Sequence, residues 1–319
     1  MKKLIIVFSR FLLISIVIYC IIVIGLYKKN ISIFANNIPN KESRRTAFTA
    51  KKLEDVRKVK SADILILGSS LAYRNYDPAI LKRNNYSSFN LGTSSQKPNM
   101  SHIMVQRYVK NIKSRLVIID VNPYLMMMPD SFETVDGIMN SSASRHDWGL
   151  FLAQPSLMAF NALIIKYSGS AEKDRIEKLS DSIHITDNKY LGQGFVGSSV
   201  IYDPKKKTPK ISVTKLQPMQ NQVDALENII GYLKSQNIKY ILVLSPVNPD
   251  YFLNKSKIKS KQFRDLSKTY FSKYGNYIDS NDLEVYDQNE FMDFSHLNET
   301  GSEKFTTSLI PIIESRINN

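Results

Sequence analysis

Residues 64 to 76, Ile64 to Tyr76, read ILILGSSLAYRNY: four apolar residues, one glycine, two serines and a polar tail. An apolar run this short, closed by a glycine, is the signature of a strand buried on both faces, the kind found in a parallel sheet covered by helices. The serines then stand at the carboxyl end of a strand, where open parallel sheets bind their ligands. Either serine is a nucleophile there, or both turn the chain.

The same signature recurs downstream. Asp63 to Leu67 (DILIL), Phe89 to Leu91 (FNL), Leu116 to Asp120 (LVIID), Tyr240 to Leu244 (YILVL) and Tyr277 to Asp279 (YID) make five strand candidates. Between them, Met100, Ile103, Met104, Tyr108 and Ile112 share one helical face, as do Val223, Leu226, Ile230 and Leu233. Such alternation predicts an α/β fold with a central parallel five-stranded sheet. One region breaks the rhythm, from about Tyr124 to Lys215. It holds an apolar helical candidate, Trp148 to Tyr167, and then the polar stretch SDSIHITDNKYLGQGFVGSSVIYDPKKKTPK. A connection that long reads as an insertion, and such insertions often cover a site.

At 319 residues and 43% hydrophobic content the chain has enough apolar surface for a sizeable core, which argues against disorder. Its first residues are MKK, followed by an apolar run from Leu4 to Tyr27 broken only by Ser9, Arg10 and Ser15. The run has 24 residues, or 17 counted from Phe11, which brackets the roughly 20 needed to cross a bilayer. No small-x-small cleavage site follows it, so an uncleaved anchor at residues 1–27 is expected over a removed signal peptide. Residues 28–60 read as a basic juxtamembrane linker and 61–319 as the main domain.

The lone cysteine, Cys20, lies inside the apolar run, which excludes disulfides and cysteine chemistry from that domain. The net charge of +14 is concentrated in Lys41 to Lys60, Lys205 to Lys210 and Lys255 to Arg264. Basic runs are most often solvated faces, and beside an anchor they also suit anionic lipid or an anionic envelope polymer. No nucleic-acid reader motif accompanies them, so no nucleic-acid partner is expected. Counted near the span, the basic residues favour a cytoplasmic location for the C-terminal side.

Every strand end carries polar chemistry: Gly68-Ser69-Ser70, Gly92-Thr93-Ser94, Asn122-Pro123, Ser245-Pro246-Val247-Asn248, and finally the segment Asp293 to Gly301, DFSHLNETG. Asp293 and His296 are three apart, a spacing that on one helical turn lets a carboxylate hold an imidazole. A serine hydroxyl becomes a competent nucleophile when a base takes its proton and a third group fixes that base. Asp293, His296 and one serine supply those parts. His102, His146 and His184 have no matching cysteine or carboxylate cluster, so no metal or other cofactor is expected.

With these blocks in order, the chain resembles the SGNH (GDSL-like) serine hydrolases. Gly68-Ser69-Ser70-Leu71 stands where that family carries Gly-Asp-Ser-Leu, Gly92 in its glycine block, Asn122 in its asparagine block and Asp293-Phe294-Ser295-His296 in its Asp-x-x-His block. The resemblance implies a flavodoxin-like three-layer sandwich with Ser70 as nucleophile, His296 as base and Asp293 as its orienting carboxylate. Gly92 and Asn122 would be oxyanion donors. Ser69 replaces the family's aspartate, and Asp120-Val121-Asn122 lacks the glycine that usually precedes the asparagine by two positions. Simpler readings stay open for each: Ser70 as a turn or anion cradle, His296 as a helix cap, Gly92 and Asn122 as turn formers.

Anchor, basic body and insertion together resemble the membrane-bound members that acylate bacterial envelope polysaccharides or teichoic acids beside a membrane-bound O-acyltransferase. The Ser245 to Pro249 stretch (SPVNP) adds to that likeness. It implies an anchor in the bacterial cytoplasmic membrane with the large domain outside, against the basic-residue count. The implied substrate is an acyl, above all acetyl, ester of an envelope polysaccharide. Deacetylation and a non-catalytic assembly role are the alternatives.

Overall fold

The computed structural model describes residues 1–31, 36–39, 48–129, 132–180, 184–185, 187–205, 217–246, 248 and 260–318. In chain order come α1 (Lys2–Lys28), α2 (Thr49–Asp55), β1 (Ile64–Leu67), α3 (Ser70–Asn75), α4 (Pro78–Arg83) and β2 (Ser88–Asn90). They are followed by α5 (Pro98–Arg107), β3 (Leu116–Asp120), α6 (Phe132–Asn140), α7 (His146–Ala153), α8 (Leu157–Tyr167) and α9 (Glu172–Ser180). The remainder is β4 (His184–Ile185), β5 (Asn188–Gly192), β6 (Phe195–Gly197), α10 (Gln220–Ser235), β7 (Lys239–Leu244), α11 (Ser260–Phe271), β8 (Tyr277–Asp279) and α12 (Glu299–Asn318).

Five strands form one sheet in the order β2-β1-β3-β7-β8, every neighbouring pair parallel. This is the doubly wound order whose switch point lies between the first strand and its neighbours. Because successive side chains leave a strand on opposite faces, β1 feeds two cores. Leu65 and Leu67 join Val117, Ile119 and Leu242 under α5 and α10, whereas Ile64 and Ile66 join Leu116, Ile118, Ile241 and Val243 under α12. All four β1 residues are fully buried, and each aliphatic side chain so buried contributes about 1.5–3 kcal/mol. The result is the three-layer α/β sandwich expected from the alternation.

The insertion is richer than its sequence suggests. Its apolar stretch is two helices, α7 and α8, because Pro155 has no N–H to continue the first. Its polar stretch folds into a three-stranded antiparallel sheet, β4-β5-β6. The β5-β6 turn docks on the edge of β2, where Asn90 N–H donates to the Gln193 carbonyl at 2.8 Å. Gly194 makes this possible: its φ is +84°, and a Cβ there would stand 1.8 Å from the Asn90 carbonyl oxygen.

The basic stretch at 28–60 does not all lie outside the body. The chain is packed from Thr49 onward, with Leu53 and Val56 in the core and Lys52 only 1% exposed. Lys52 is therefore not part of a solvated face; apolar neighbours in α2 carry it into the interior. Residues 41–47 of that basic run, 206–210 and 255–259 of the others, and Val247 and Pro249 lie outside the described residues. Helix α1 is long and apolar enough to cross a membrane, and the stretch that would do so is not buried against the body.

Candidate active site

The end of β1 positions the first functional group. Gly68 adopts φ +148°, and a Cβ on it would fall 2.7 Å from Asp120 Cβ and 3.0 Å from Ala72 Cβ, so the turn out of the strand requires glycine. Ser69 is extended and caps α3, its Oγ accepting from Leu71 N–H at 3.2 Å. Ser70 is the first residue of α3 and projects its hydroxyl to the surface of the turn. The two serines thus divide the work of capping and presenting.

Across from Ser70 lies the C-terminal block. His296 Nε2 is 2.7 Å from Ser70 Oγ, and His296 Nδ1 is 2.8 and 3.0 Å from the two oxygens of Asp293. The ionised carboxylate only accepts, so Nδ1 carries the proton and Nε2 is left as acceptor for the serine hydroxyl. Asp293 and His296 do not share a helical turn, however. Asp293 Oδ1 accepts from the backbone N–H groups of Ser295 and His296, both at 2.8 Å, which closes a bend, and α12 begins only at Glu299. The spacing of three works because the carboxylate folds its own loop while holding the imidazole. Burial pushes the Asp293 carboxyl up, but the charge and hydrogen bond of His296 and the two backbone donors outweigh it and hold the carboxyl well below the ordinary range.

The two expected oxyanion donors fare differently. Asn122 sits just past β3, and its Oδ1 accepts from Tyr124 N–H at 3.0 Å. Its Nδ2 makes no hydrogen bond among the described residues and so remains a donor. With Ser69 and Asp120, Asn122 lines a small cavity of about 20 Å³ beside the turn that carries Ser70. Gly92 is close as well, since a Cβ on it would stand 2.9 Å from the Ser69 carbonyl oxygen. Its N–H, however, donates to Asn90 Oδ1 at 3.0 Å, so it does not face the serine as a free donor. Buried N–H groups require a partner, and the side chain at the end of β2 supplies one. Ser70 N–H, at the first turn of α3, has no intrahelical acceptor.

Several residues that hold this geometry carry no sequence signal. Asn90, fully buried, donates from Nδ2 to the Ala72 carbonyl at 2.8 Å while accepting from Gly92, which ties the glycine loop to α3. Lys52 Nζ donates to the Gly92 carbonyl at 2.9 Å and lies 3.6 Å from the centre of the Tyr73 ring. Burial and the neighbouring Arg74 charge push the Lys52 ammonium far below its usual range. Arg74 in turn donates to Asn188 Oδ1 at 2.6 Å and to Met292 Sδ at 3.2 Å, joining α3 to the insertion and to the loop of Asp293. Ser198, Val200 and Tyr202 pair with Glu299, Asn298 and Phe291 on either side of His296. The insertion therefore frames the site. Ser245, from the fourth strand end, donates to Asp120 Oδ2, and Asn248 Nδ2 reaches the Asp293 carbonyl at 3.5 Å.

Comparison with known proteins adds a measure of likeness. A protein-family model matches residues 200–318, which include β7, β8, Asp293 and His296. No curated protein matches the chain in sequence. Among solved structures it is similar to a GDSL-like lipase from Bacteroides thetaiotaomicron, at 13% identity and TM-score 0.39 over 85% of this chain and 98% of that one. It is also similar to a carbohydrate acetylesterase family member from Sinorhizobium meliloti, at 8% identity and TM-score 0.39 over 82% of this chain and all of that one. The fold is an α/β three-layer sandwich whose five parallel strands deliver the polar groups to one edge. The chemistry follows from the distances: a hydroxyl, a base poised to take its proton and a carboxylate behind that base form an arrangement competent for acyl transfer.

Proposed function

We propose that this chain is a membrane-anchored serine acyltransferase or esterase of the SGNH type, acting on acyl, above all acetyl, esters of a bacterial envelope polysaccharide. The observation that carries the chemistry is the 2.7 Å contact between Ser70 Oγ and His296 Nε2, with Asp293 behind the imidazole. His296 takes the proton as Ser70 Oγ attacks the ester carbonyl. The developing oxyanion is met by Ser70 N–H and Asn122 Nδ2; Gly92 shapes the loop beside them. The tetrahedral species collapses, His296 returns the proton to the departing alkoxide, and the acyl group stays on Ser70. A second hydroxyl, from water or a sugar, then gives its proton to His296 and attacks the acyl-serine, and His296 returns that proton to Ser70 Oγ as the acyl–oxygen bond breaks. Water makes the chain an esterase, and a sugar hydroxyl makes it a transferase.

The envelope substrate is supported by α1, long and apolar enough to anchor the chain, and by the basic charge of the body. A membrane-bound O-acyltransferase that supplies the acyl group fits the same reading, with the large domain outside the cytoplasm. The test compares surface-polysaccharide acylation in cells carrying the wild-type chain or Ser70→Ala. Loss of acylation in the variant supports transfer, and a gain supports deacetylation. Full complementation by Ser70→Ala would refute both in favour of a non-catalytic assembly role. A reporter enzyme fused after Asn319 and active only in the cytoplasm would overturn the topology.

A further inference from the structure

The outer surface of α7 and α8 is unlike the rest of the body. From residue 146 to residue 167, every exposed residue is apolar or aromatic: Trp148, Leu152, Pro155, Leu157, Phe160 and Tyr167. Trp148, Leu152, Leu157 and Tyr167 are 47, 70, 52 and 50% exposed. The charges within this stretch are turned inward, Lys166 pairing with Asp147 at 2.9 Å with both side chains almost fully buried. Ring contacts join these side chains into one surface through the half-buried Phe151: Trp148 with Tyr167 at 6.4 Å, Trp148 with Phe151 at 6.3 Å and Phe151 with Phe160 at 6.0 Å. A patch of this kind on an otherwise strongly basic protein marks a contact surface.

Its position says what covers it. Helix α8 packs along the last turns of α1, where Tyr19 Oη donates to Asn161 Oδ1 at 2.7 Å and Val23 and Tyr27 are buried. Tyr19 is 15 residues past Leu4, the start of the apolar run. At 1.5 Å per residue that is about 22 Å. A hydrocarbon layer about 30 Å thick, with its far edge at Leu4, extends about 8 Å beyond Tyr19. Helix α8 therefore meets α1 within the depth of that layer. Asn161, the amide at the contact, is satisfied on both sides, its Nδ2 donating to the Asn37 carbonyl at 2.9 Å, as the interior of a bilayer demands.

We infer that the exposed face of α7 and α8 is a second membrane contact, seated in the lipid beside the anchor, with Trp148 and Tyr167 at the level where aromatic side chains favour the interface. This rests on α1 crossing a bilayer. Two attachments prevent rotation about a single helix, so the body, and Ser70 with it, holds one orientation to the membrane surface.

Trp148 is the sole tryptophan of the chain and reports on this face directly. The full chain is reconstituted into vesicles of phosphatidylcholine and phosphatidylglycerol, isolated by flotation, and its emission is read with brominated acyl chains in the lipid or acrylamide in the water. The expected result is loss of emission with brominated lipid and shielding from acrylamide. A second variant, Leu152→Glu with Leu157→Glu, alters only exposed side chains; it is expected to float but to lose the lipid quenching. A floating wild type that is unquenched by lipid and open to acrylamide overturns the contact while leaving the anchor standing. Shielding from acrylamide without lipid quenching, with crosslinks between chains, overturns it in favour of a second copy on the face. Quenching unchanged in the double variant also overturns it. A chain that does not float refutes the anchor and, with it, this contact.

Discussion

Asp120 is the buried group with the most to say about stability. It is 6% exposed at the end of β3, and its Oδ2 accepts from Tyr76 Oη at 3.0 Å and from Ser245 Oγ, while its Oδ1 has no partner among the described residues. Burial pushes its carboxyl from the ordinary 3.8 up to about 7, and the two hydroxyl donors only partly oppose this. A folded value above the unfolded one means that the folded chain holds the proton more tightly. The resulting stabilisation is full below pH 3.8 and is lost as pH rises through about 7. At 1.36 kcal/mol per pH unit the whole effect is about 4 kcal/mol, of which about 2–3 kcal/mol disappears between pH 5 and pH 8. Asp120→Asn keeps the shape of the neutral acid and cannot ionise. Urea unfolding of the full chain in detergent, followed by circular dichroism, should show the variant more stable than wild type by about 1–2 kcal/mol at pH 5 and by about 4 kcal/mol at pH 8, a gap that widens by about 2–3 kcal/mol across the range. Curves for the two proteins that run parallel across that range would refute the reasoning.

Other outcomes are equally definite. Asn122→Ala should lower kcat by about 100- to 1000-fold in an ester-release assay, with unchanged melting, because Nδ2 is the free side-chain donor beside the turn. Asp293→Asn should cost about 10⁴-fold in kcat, since an amide no longer selects the tautomer that leaves Nε2 as acceptor. Lys52→Met leaves the Gly92 carbonyl without its donor, a cost of about 1–3 kcal/mol read as a lower melting midpoint, with kcat falling as the glycine loop loosens. Gly194→Ala should destabilise by at least about 1–3 kcal/mol, because a positive φ and the Asn90 carbonyl both exclude a Cβ.

The strand cores were legible because they are continuous apolar runs. Leu116–Asp120 and Tyr277–Asp279 coincide with β3 and β8; β1 and β7 differ from expectation by one residue at their starts, and β2 is shifted by one residue at both ends. The helical patterns were legible from their 3.6-residue period: α10 extends Val223 to Leu233 to Gln220–Ser235, whereas α5 ends at Arg107, so Tyr108 and Ile112 at the end of the other pattern lie past it. Strands β4 to β6 were not, being two to five residues long in polar sequence, where pairing rather than pattern decides. The break between α7 and α8 was visible only as a proline in an apolar run. Ser70, Asp293 and His296 could be proposed because their blocks follow strand ends and the segment before α12. The roles of Asn90, Lys52 and Arg74 could not, because an asparagine in a strand or a lysine in a basic run looks the same whether it is buried or solvated.

What the sequence by itself determined is a matter of short range: strand cores, a membrane-length apolar helix, glycine at the turn after β1, and a carboxylate three residues from an imidazole. What only the tertiary structure decided is which partner each polar group takes. The fold brings Ser70 and His296 within 2.7 Å although 226 positions separate them. It assigns the Gly92 N–H to Asn90, leaves Asn122 Nδ2 without a partner among the described residues and draws Lys52 inside. A buried donor or acceptor pairs with whatever the packing places within reach, and packing joins segments remote in the chain, so no local pattern carries that choice.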